Sequence, residues 1–451
     1  MPLTLQTFSR GNGITLAVLP IFFVIMPRPD LGGAHYFTYG ALGAISALLI
    51  AMRIRQPIGR GVWKVVALLF VYMVAIAISA VVNYERIEFA SLLHALRPVL
   101  LALVLCAAYL EARRLRVEEV HRAFLLFAYV ALAVSAINGM VQLFGGSLEP
   151  VYSGEKTRGL GELVRITGTL YNPNLFAWVV LQVSMIVLAF ERRRVVKFAA
   201  LAIGVVLVVL AGSRTVLVAF PFALALTTLL LDVRIGRSVT SRRLWKSVVL
   251  IGSSGLFFLA IIKLFGHRLP YLNQLLTIIE TGDLTSVNSF AARVANWGGA
   301  IERLNARPLH WYFGFGPGSA DVLDNDLLYA ISNFGLLGAV ASLVLFSAIL
   351  VVLFRSPIAS LRAVGVQYVV MSAGLGLLFE TLNGWNFPIL LMVLTGAALV
   401  HRQDQGVGGS RAHSDSEFQE VTDRNWTSSK WFMAVTAGRP ARRREQKIPV
   451  A

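Results

Sequence analysis

Apolar segments of membrane-spanning length recur along nearly the whole of this chain. A transmembrane helix needs about 20 predominantly apolar residues. Hydrophobic residues make up 56% of the sequence and charged residues only 14%, whereas an ordinary soluble domain carries about 25% charged residues. We therefore expect an all-α membrane protein in a lipid bilayer, with about twelve transmembrane helices. Their approximate bounds are 14–27, 37–52, 62–82, 94–110, 122–144, 173–190, 197–211, 215–231, 246–265, 326–354, 361–380 and 386–400.

The positions of the basic residues predict which side of the membrane each loop occupies. Most of the 41 Lys and Arg fall in the C-terminal tail or in short loops, notably those at 53–64, 113–122, 192–197 and 234–246. Short cytoplasmic loops carry an excess of Lys and Arg, so both termini are expected in the cytoplasm. This distribution explains the net charge of +17 without nucleic-acid binding.

Composition divides the chain into two regions. Residues 1–400 read as one polytopic membrane domain, whereas residues 401–451 are polar and end in a basic cluster that begins at Arg439. A segment with so little apolar surface cannot offset the entropy cost of folding, so we expect a disordered cytoplasmic tail. It is either a solvated tail without a role or a segment whose basic cluster contacts anionic lipid.

One long polar interruption, residues 266–325, lies between the ninth and tenth predicted spans, on the side opposite the basic loops. Loops of this length in compact proteins are usually functional or disordered. Positions 289–303 have helical spacing, which places Arg293 and Trp297 on one face, and Arg303 lies roughly on the same side. The sequence therefore predicts a folded lid over a site.

Arg214 stands on the side of the membrane where the positive-inside bias disfavours arginine. It follows Gly212 and Ser213 in a three-residue polar gap between two apolar segments. A guanidinium near hydrocarbon depth costs a few kcal/mol unless it is paired or hydrated. Either Arg214 reaches to the membrane surface, or it faces a cavity as part of an anion site, and the small residues beside it favour the second interpretation.

The end of the long loop combines a glycine-rich turn, 314–318, with acidic residues. Asp324, Asn325 and Asp326 stand where the tenth predicted span begins. Acidic groups stabilise a helix N-terminus, and Asp326 is expected to be such a cap. Asp324 is then the better candidate for chemistry.

Polar groups also stand at the start of the sixth predicted span. Pro173 suits the first helical position with Asn172 as the cap, which leaves Asn174 as a candidate cavity-facing group. Cys106 is the only cysteine and the sequence holds no Cys/His cluster, so neither a metal nor a cofactor is expected.

Taken in order, these motifs resemble the bacterial O-antigen ligase and O-antigen polymerase superfamily. The resemblance covers about residues 120–400. Each motif by itself has low specificity, whereas the ordered set is fairly specific. The matching segments are TLYNPNLFA (169–177), AGSRT (211–215), ARVANWGGAI (292–301), RP (307–308), GFGPG (314–318) and DNDLLYAISNFGLLG (324–338).

The resemblance implies an inverting, metal-independent glycosyltransferase of GT-C-like architecture, acting at the periplasmic face of the inner membrane. The donor would be an oligosaccharide linked to undecaprenyl diphosphate. Arg214 and Arg293 match arginines that hold the donor diphosphate, and Asp324 would orient or deprotonate the acceptor hydroxyl. The further substrate-binding candidates are Arg303, Asn174, Asn325, Trp297 and Tyr329.

Three related functions remain open within this interpretation. Ligases of the superfamily typically carry histidine where Asp324 stands, which favours a polymerase that joins repeat units into O-antigen or exopolysaccharide on a glycan acceptor. A chain-length regulator is then a candidate partner. The first alternative is a ligase that transfers the finished glycan to lipid A core. The second is a transporter or flippase for a lipid-linked sugar, which would need polar residues along a pathway through the spans rather than at their ends.

Overall fold

The computed structural model describes most of the chain. It covers residues 13–24, 35–86, 89–146, 159–160, 163–170, 172–233, 288–319, 323–378 and 387–407, together with isolated positions between 245 and 263. The chain divides into two units, Met1–Arg402 and Gln403–Ala451. The predicted tail lies outside the described residues beyond Val407, and so do residues 266–287 and 320–322 of the long loop.

Helices dominate the described residues. The thirteen α-helices whose bounds the structure describes are α1 Ile14–Val24, α2 His35–Ala51, α3 Arg60–Val82, α4 Phe89–Ala112, α5 Val117–Leu143, α6 Pro173–Phe190, α7 Arg194–Ala211, α8 Arg214–Asp232, α9 Asn288–Asn305, α10 Pro308–Phe313, α11 Asp326–Phe354, α12 Ala359–Leu375 and α13 Phe387–Val407. A 3-10 turn spans Tyr84–Arg86. Two short antiparallel strands, β1 Gly159–Leu160 and β2 Leu163–Val164, form a hairpin before α6.

Seven of the described helices are long and apolar enough to cross a membrane: α3, α4 from His94 onward, α5, α6, α7, α8 and α11. Two shorter apolar helices run over Thr38–Ala51 and Pro388–Val400. The prediction of a helical, multi-pass membrane protein is thereby confirmed. The count of twelve spans stays a prediction, because α1 is only 11 residues long and most of segment 246–265 lies outside the described residues.

Helix α6 forms the centre of one half of the bundle. All but two of its 18 residues are buried, and it contacts α5, α7, α8 and α12. A helix that is apolar on every side is stable only when other helices surround it. The N-terminus of α6 is fixed as expected, since the Asn172 side chain accepts a hydrogen bond from the backbone N–H of Asn174 at 2.8 Å and Pro173 is the first helical residue.

Polar contacts join the helix termini at two opposite ends of the helix bundle. At one end, Glu111 near the C-terminus of α4 accepts a hydrogen bond from Thr15 at 2.6 Å and pairs with Arg53 at 3.4 Å. The basic loops next to these residues lie at this same end. At the other, which we call the site end, Asn83 donates to the carbonyl of Gly314 at 3.3 Å. Further hydrogen bonds at this end join position 142 to 167–168, 165 to 174 and 211–212, and 326 to 376.

Helix α11 is broken near the site end. Gly335 has φ 70° and ψ −175°, a conformation that L side chains rarely adopt. The break frees the carbonyls of Ser332 and Asn333 from the helical ladder. The backbone N–H of Phe315 donates to the first at 2.7 Å, and the Ser79 hydroxyl lies 2.7 Å from the second. The loop after α10 is therefore hydrogen-bonded into the interior of a membrane-spanning helix.

Candidate anion-binding site at one end of the helix bundle

Arg214 is placed by the turn between α7 and α8. Gly212 ends α7 in the left-handed conformation, with φ 64°, Ser213 is the N-cap residue, and Arg214 begins α8. Its side chain is half-buried. The N-terminus of a helix carries a partial positive charge and exposes backbone N–H groups, which makes it a ready site for anions. Arg214 adds a full positive charge at the same place.

Ser213 adds a second polar group to this turn. It is 1% exposed, and its hydroxyl has no hydrogen-bond partner among the residues that the structure describes. A buried hydroxyl without a partner loses the hydrogen bonds that it makes in water. A ligand oxygen at the start of α8 would supply the missing partner.

Arg293 is held on α9 by the residues that precede α11. Its Nε donates to Oδ2 of Asp324 at 3.0 Å, and one turn later Nε1 of Trp297 donates to the carbonyl of Leu323 at 2.7 Å. The predicted helical spacing of this segment is confirmed. Both side chains lie on the face of α9 that turns toward α11, as the i, i+4 spacing requires.

The charges of Arg214 and Arg293 act on each other unfavourably across the site. Like charges held together in partly desolvated surroundings cost energy, which a nearby anion offsets. Asp324 provides one negative charge, next to Arg293. Arg293 is thus paired with Asp324 and lies within electrostatic range of Arg214, so the three predicted catalytic residues contribute two positive charges and one negative.

Asp324 itself has an uncommon backbone. Its φ of 50° lies in the left-handed region, which Asp and Asn tolerate better than other non-glycine residues. Asn325 is then the N-cap of α11, because its side chain accepts the backbone N–H of Leu328 at 2.9 Å, and its amide donates to the carbonyl of Leu377 at 3.3 Å. The prediction that Asp326 caps this helix was wrong, since the neighbouring Asn325 occupies the cap position.

Asp326 belongs instead to a buried polar cluster. It is 8% exposed, and its backbone N–H donates to the carbonyl of Gly376 at 2.6 Å. Its charge acts on the phenols of Tyr72 in α3 and Tyr368 in α12, and the charge of Arg97 in α4 also acts on Tyr72. Arg97 is 3% exposed and was not singled out from the sequence. These charged and phenolic groups lie on four helices, α3, α4, α11 and α12.

Arg165 is a further residue that was not singled out from the sequence, and it contacts the turn between α7 and α8. Its Nε donates to the carbonyl of Ala211 at 2.9 Å, and its Nη2 lies 3.2 Å from the carbonyl of Gly212 and 3.4 Å from Oδ1 of Asn174. Asn174, predicted to face a cavity, is thus joined to the turn that carries Arg214. Arg165 lies in a loop on the side where basic residues are disfavoured, and this signal, which drew attention to Arg214, could also have identified it.

The other predicted substrate-binding residues lie elsewhere at the site end. Arg303 is exposed, with its guanidinium 5.5 Å from the centroid of the Phe315 ring. Tyr329 is 9% exposed and meets Phe334 edge-on, with ring centroids 6.3 Å apart. The first contact joins α9 to the loop after α10, and the second lies within α11. The substrate roles of both residues stay predictions.

The arrangement can bind an anion with two or more charged oxygens. Planar guanidinium groups form paired hydrogen bonds with phosphate oxygens, and the start of α8 adds a partial positive charge. Within the described ranges, no group of three His, Cys, Asp or Glu side chains is placed to hold a metal ion. No protein-family model matches the chain, and no curated protein matches it.

Proposed function

We propose that the chain is a glycosyltransferase that uses a polyprenyl-diphosphate-linked oligosaccharide as donor. The observation that carries this proposal is the electrostatic interaction between Arg293 and Arg214, which begins α8 beside the buried Ser213 hydroxyl that has no partner among the described residues. Such a site suits a diphosphate. Its place among apolar helices suits a donor whose long tail stays in lipid.

In the proposed reaction, an acceptor sugar hydroxyl attacks the anomeric carbon of the donor. A new carbon–oxygen bond forms while the bond from that carbon to the phosphate oxygen breaks, and the electron pair leaves with the diphosphate. Arg214 and Arg293 stabilise the charge that develops on the leaving group. The proton of the acceptor hydroxyl passes to the Asp324 carboxylate, which lies 3.0 Å from Arg293.

Replacing Asp324 by asparagine tests its role in proton transfer. Asparagine tolerates the left-handed backbone of this position, so we expect an unchanged melting temperature in detergent. Loss of the carboxylate is expected to lower turnover by about 10²-fold. Turnover of purified protein with a lipid-linked donor would be measured. Wild-type turnover in Asp324→Asn would assign the carboxylate to holding Arg293 rather than to the chemistry.

Within this function, we propose polymerisation of repeat units at the periplasmic face of the bacterial inner membrane. The aspartate at position 324 and the basic loops at the end opposite the site support this choice. The glycan acceptor would be another lipid-linked chain, and a chain-length regulator is the candidate protein partner.

Deleting the gene and separating the surface glycans on a gel tests the proposed function. We expect glycans that carry a single repeat unit, because the repeats are made but not joined. Expression of the wild-type protein from a plasmid should restore the ladder of longer chains. Free lipid-linked polymer with bare core would instead identify a ligase, and full-length attached glycan in the deletion strain would contradict both activities.

A further inference from the structure

The segment that carries Arg165 is fixed at the site end from two sides. Oε1 of Gln142 in α5 accepts the backbone N–H groups of Thr167 and Gly168, each at 2.9 Å. The backbone N–H of Ile166 donates to the carbonyl of Leu210 at 3.3 Å. The backbone next to Arg165 is therefore fixed to α5 and α7, and the guanidinium contacts the C-terminus of α7 directly.

The guanidinium of Arg165 binds the C-terminus of α7 in a way that a single ammonium cannot. The last carbonyls of a helix have no partners within that helix. Arg165 directs Nε to Ala211 and Nη2 to Gly212, so two neighbouring carbonyls are held by one rigid planar group. A Cβ atom added to Gly212 would lie only 3.0 Å from this Nε, which shows how closely the side chain approaches the turn.

The position of these carbonyls matters for anion binding. The C-terminus of a helix carries a partial negative charge of about half an elementary charge. Here α7 ends at Ala211, only three residues before Arg214, so its carbonyl dipoles would repel an anion bound at the start of α8. The positive charge of Arg165 compensates for them.

We propose that Arg165 is a positioning residue for the donor diphosphate. It holds the Gly212–Arg214 turn in the conformation that presents Arg214, and it neutralises the carbonyl end of α7 beside the bound anion. Through its contact with Asn174 it also fixes this turn against the first turn of α6. The inference rests on the proposed function, because it concerns the anion that the same site would hold.

Binding of farnesyl diphosphate to the full-length protein in detergent tests the inference. Arg165→Ala and Arg165→Lys are each expected to weaken binding by about tenfold, since lysine keeps the charge but cannot bind both carbonyls. Arg192→Ala, at the opposite end of α6, is the matched control and should bind as the wild type does. Melting temperatures of all variants would show whether each has folded, and Arg165→Lys is the variant to use if Arg165→Ala has not.

A double-mutant cycle separates positioning from a merely structural role. If Arg165 acts through Arg214, then adding Arg165→Lys to Arg214→Lys should weaken farnesyl diphosphate binding by less than about twofold beyond Arg214→Lys alone. A further tenfold loss would show independent effects and would overturn the inference, as would wild-type affinity in both single variants of Arg165.

The outcomes also distinguish this inference from the proposed function. Wild-type protein that binds farnesyl diphosphate but transfers no sugar from a lipid-linked donor would contradict glycosyl transfer and leave the role of Arg165 intact. Active protein with unaffected Arg165 variants would contradict only the inference. Wild-type protein that does not bind farnesyl diphosphate would overturn both.

Discussion

Replacing Arg214 or Arg293 by alanine is expected to lower the turnover of lipid-linked donor by about 10²- to 10³-fold. Removal of one preorganised group that stabilises developing charge typically has an effect of this size. Arg293→Ala has the further consequence of leaving the Asp324 carboxylate without the partner that lies 3.0 Å away, so we expect the larger loss there. Polymer length in cells and turnover of the purified protein would be measured at matched expression.

The control for both variants is Arg192→Ala. Arg192 is exposed and follows α6 at the end of the bundle opposite the site. Its removal is expected to change turnover by no more than a few-fold, since exposed charges contribute little. Wild-type polymer from either Arg214→Ala or Arg293→Ala would remove the diphosphate site.

Gly335→Ala is expected to destabilise the protein by about 3 kcal/mol or more. The added Cβ would lie 2.1 Å from the carbonyl oxygen of Tyr312, and the residue would keep a φ of 70°. The overlap is with backbone, so only a shift of α10 away from α11 can relieve it. Thermal unfolding in detergent would measure the effect, and turnover should fall with it because α10 follows the helix that carries Arg293.

The matched control for this variant is Gly374→Ala in α12. A Cβ at that position meets no atom within 4 Å, and alanine is favoured over glycine within a helix by about 0.5–1 kcal/mol. We expect an unchanged or slightly raised melting temperature. Equal melting temperatures for Gly335→Ala and wild type would contradict the close approach of α10 to the break in α11.

The sequence predicted the elements of the site that depend on local chemistry. The spacing of Arg293 and Trp297 identified a helix face, and the order Asn172-Pro173 identified a helix start, because both signals arise within one or two turns of chain. The predicted N-cap of α11 was wrong by one residue, because Asn325 and not Asp326 is the cap. Asn and Asp are nearly equal as caps, so the choice depended on the tertiary position of Asp326 against Gly376.

Features that depend on contacts between distant segments could not be predicted. The break at Gly335 lies inside an apolar run that reads as one continuous span, and only the approach of Tyr312 and Phe315 explains it. The charge bias marks Arg165 only as a basic residue on the disfavoured side, and its contact with α7 could not be predicted. Likewise, nothing local indicates that the charge of Asp326 acts on tyrosines of two other helices, α3 and α12.

Because of the hydrogen bonds at the break in α11, the segment after α10 is less free to move than α9, although both belong to the same loop. Lifting the backbone near Phe315 would break the hydrogen bond from its N–H to the buried carbonyl of Ser332, at a cost of about 1–3 kcal/mol. Helix α9, by contrast, meets residues 323–324 through the side chains of Arg293 and Trp297. Such contacts can exchange with water or with a charged ligand, so a substrate can displace α9 at lower cost than it can displace the segment after α10.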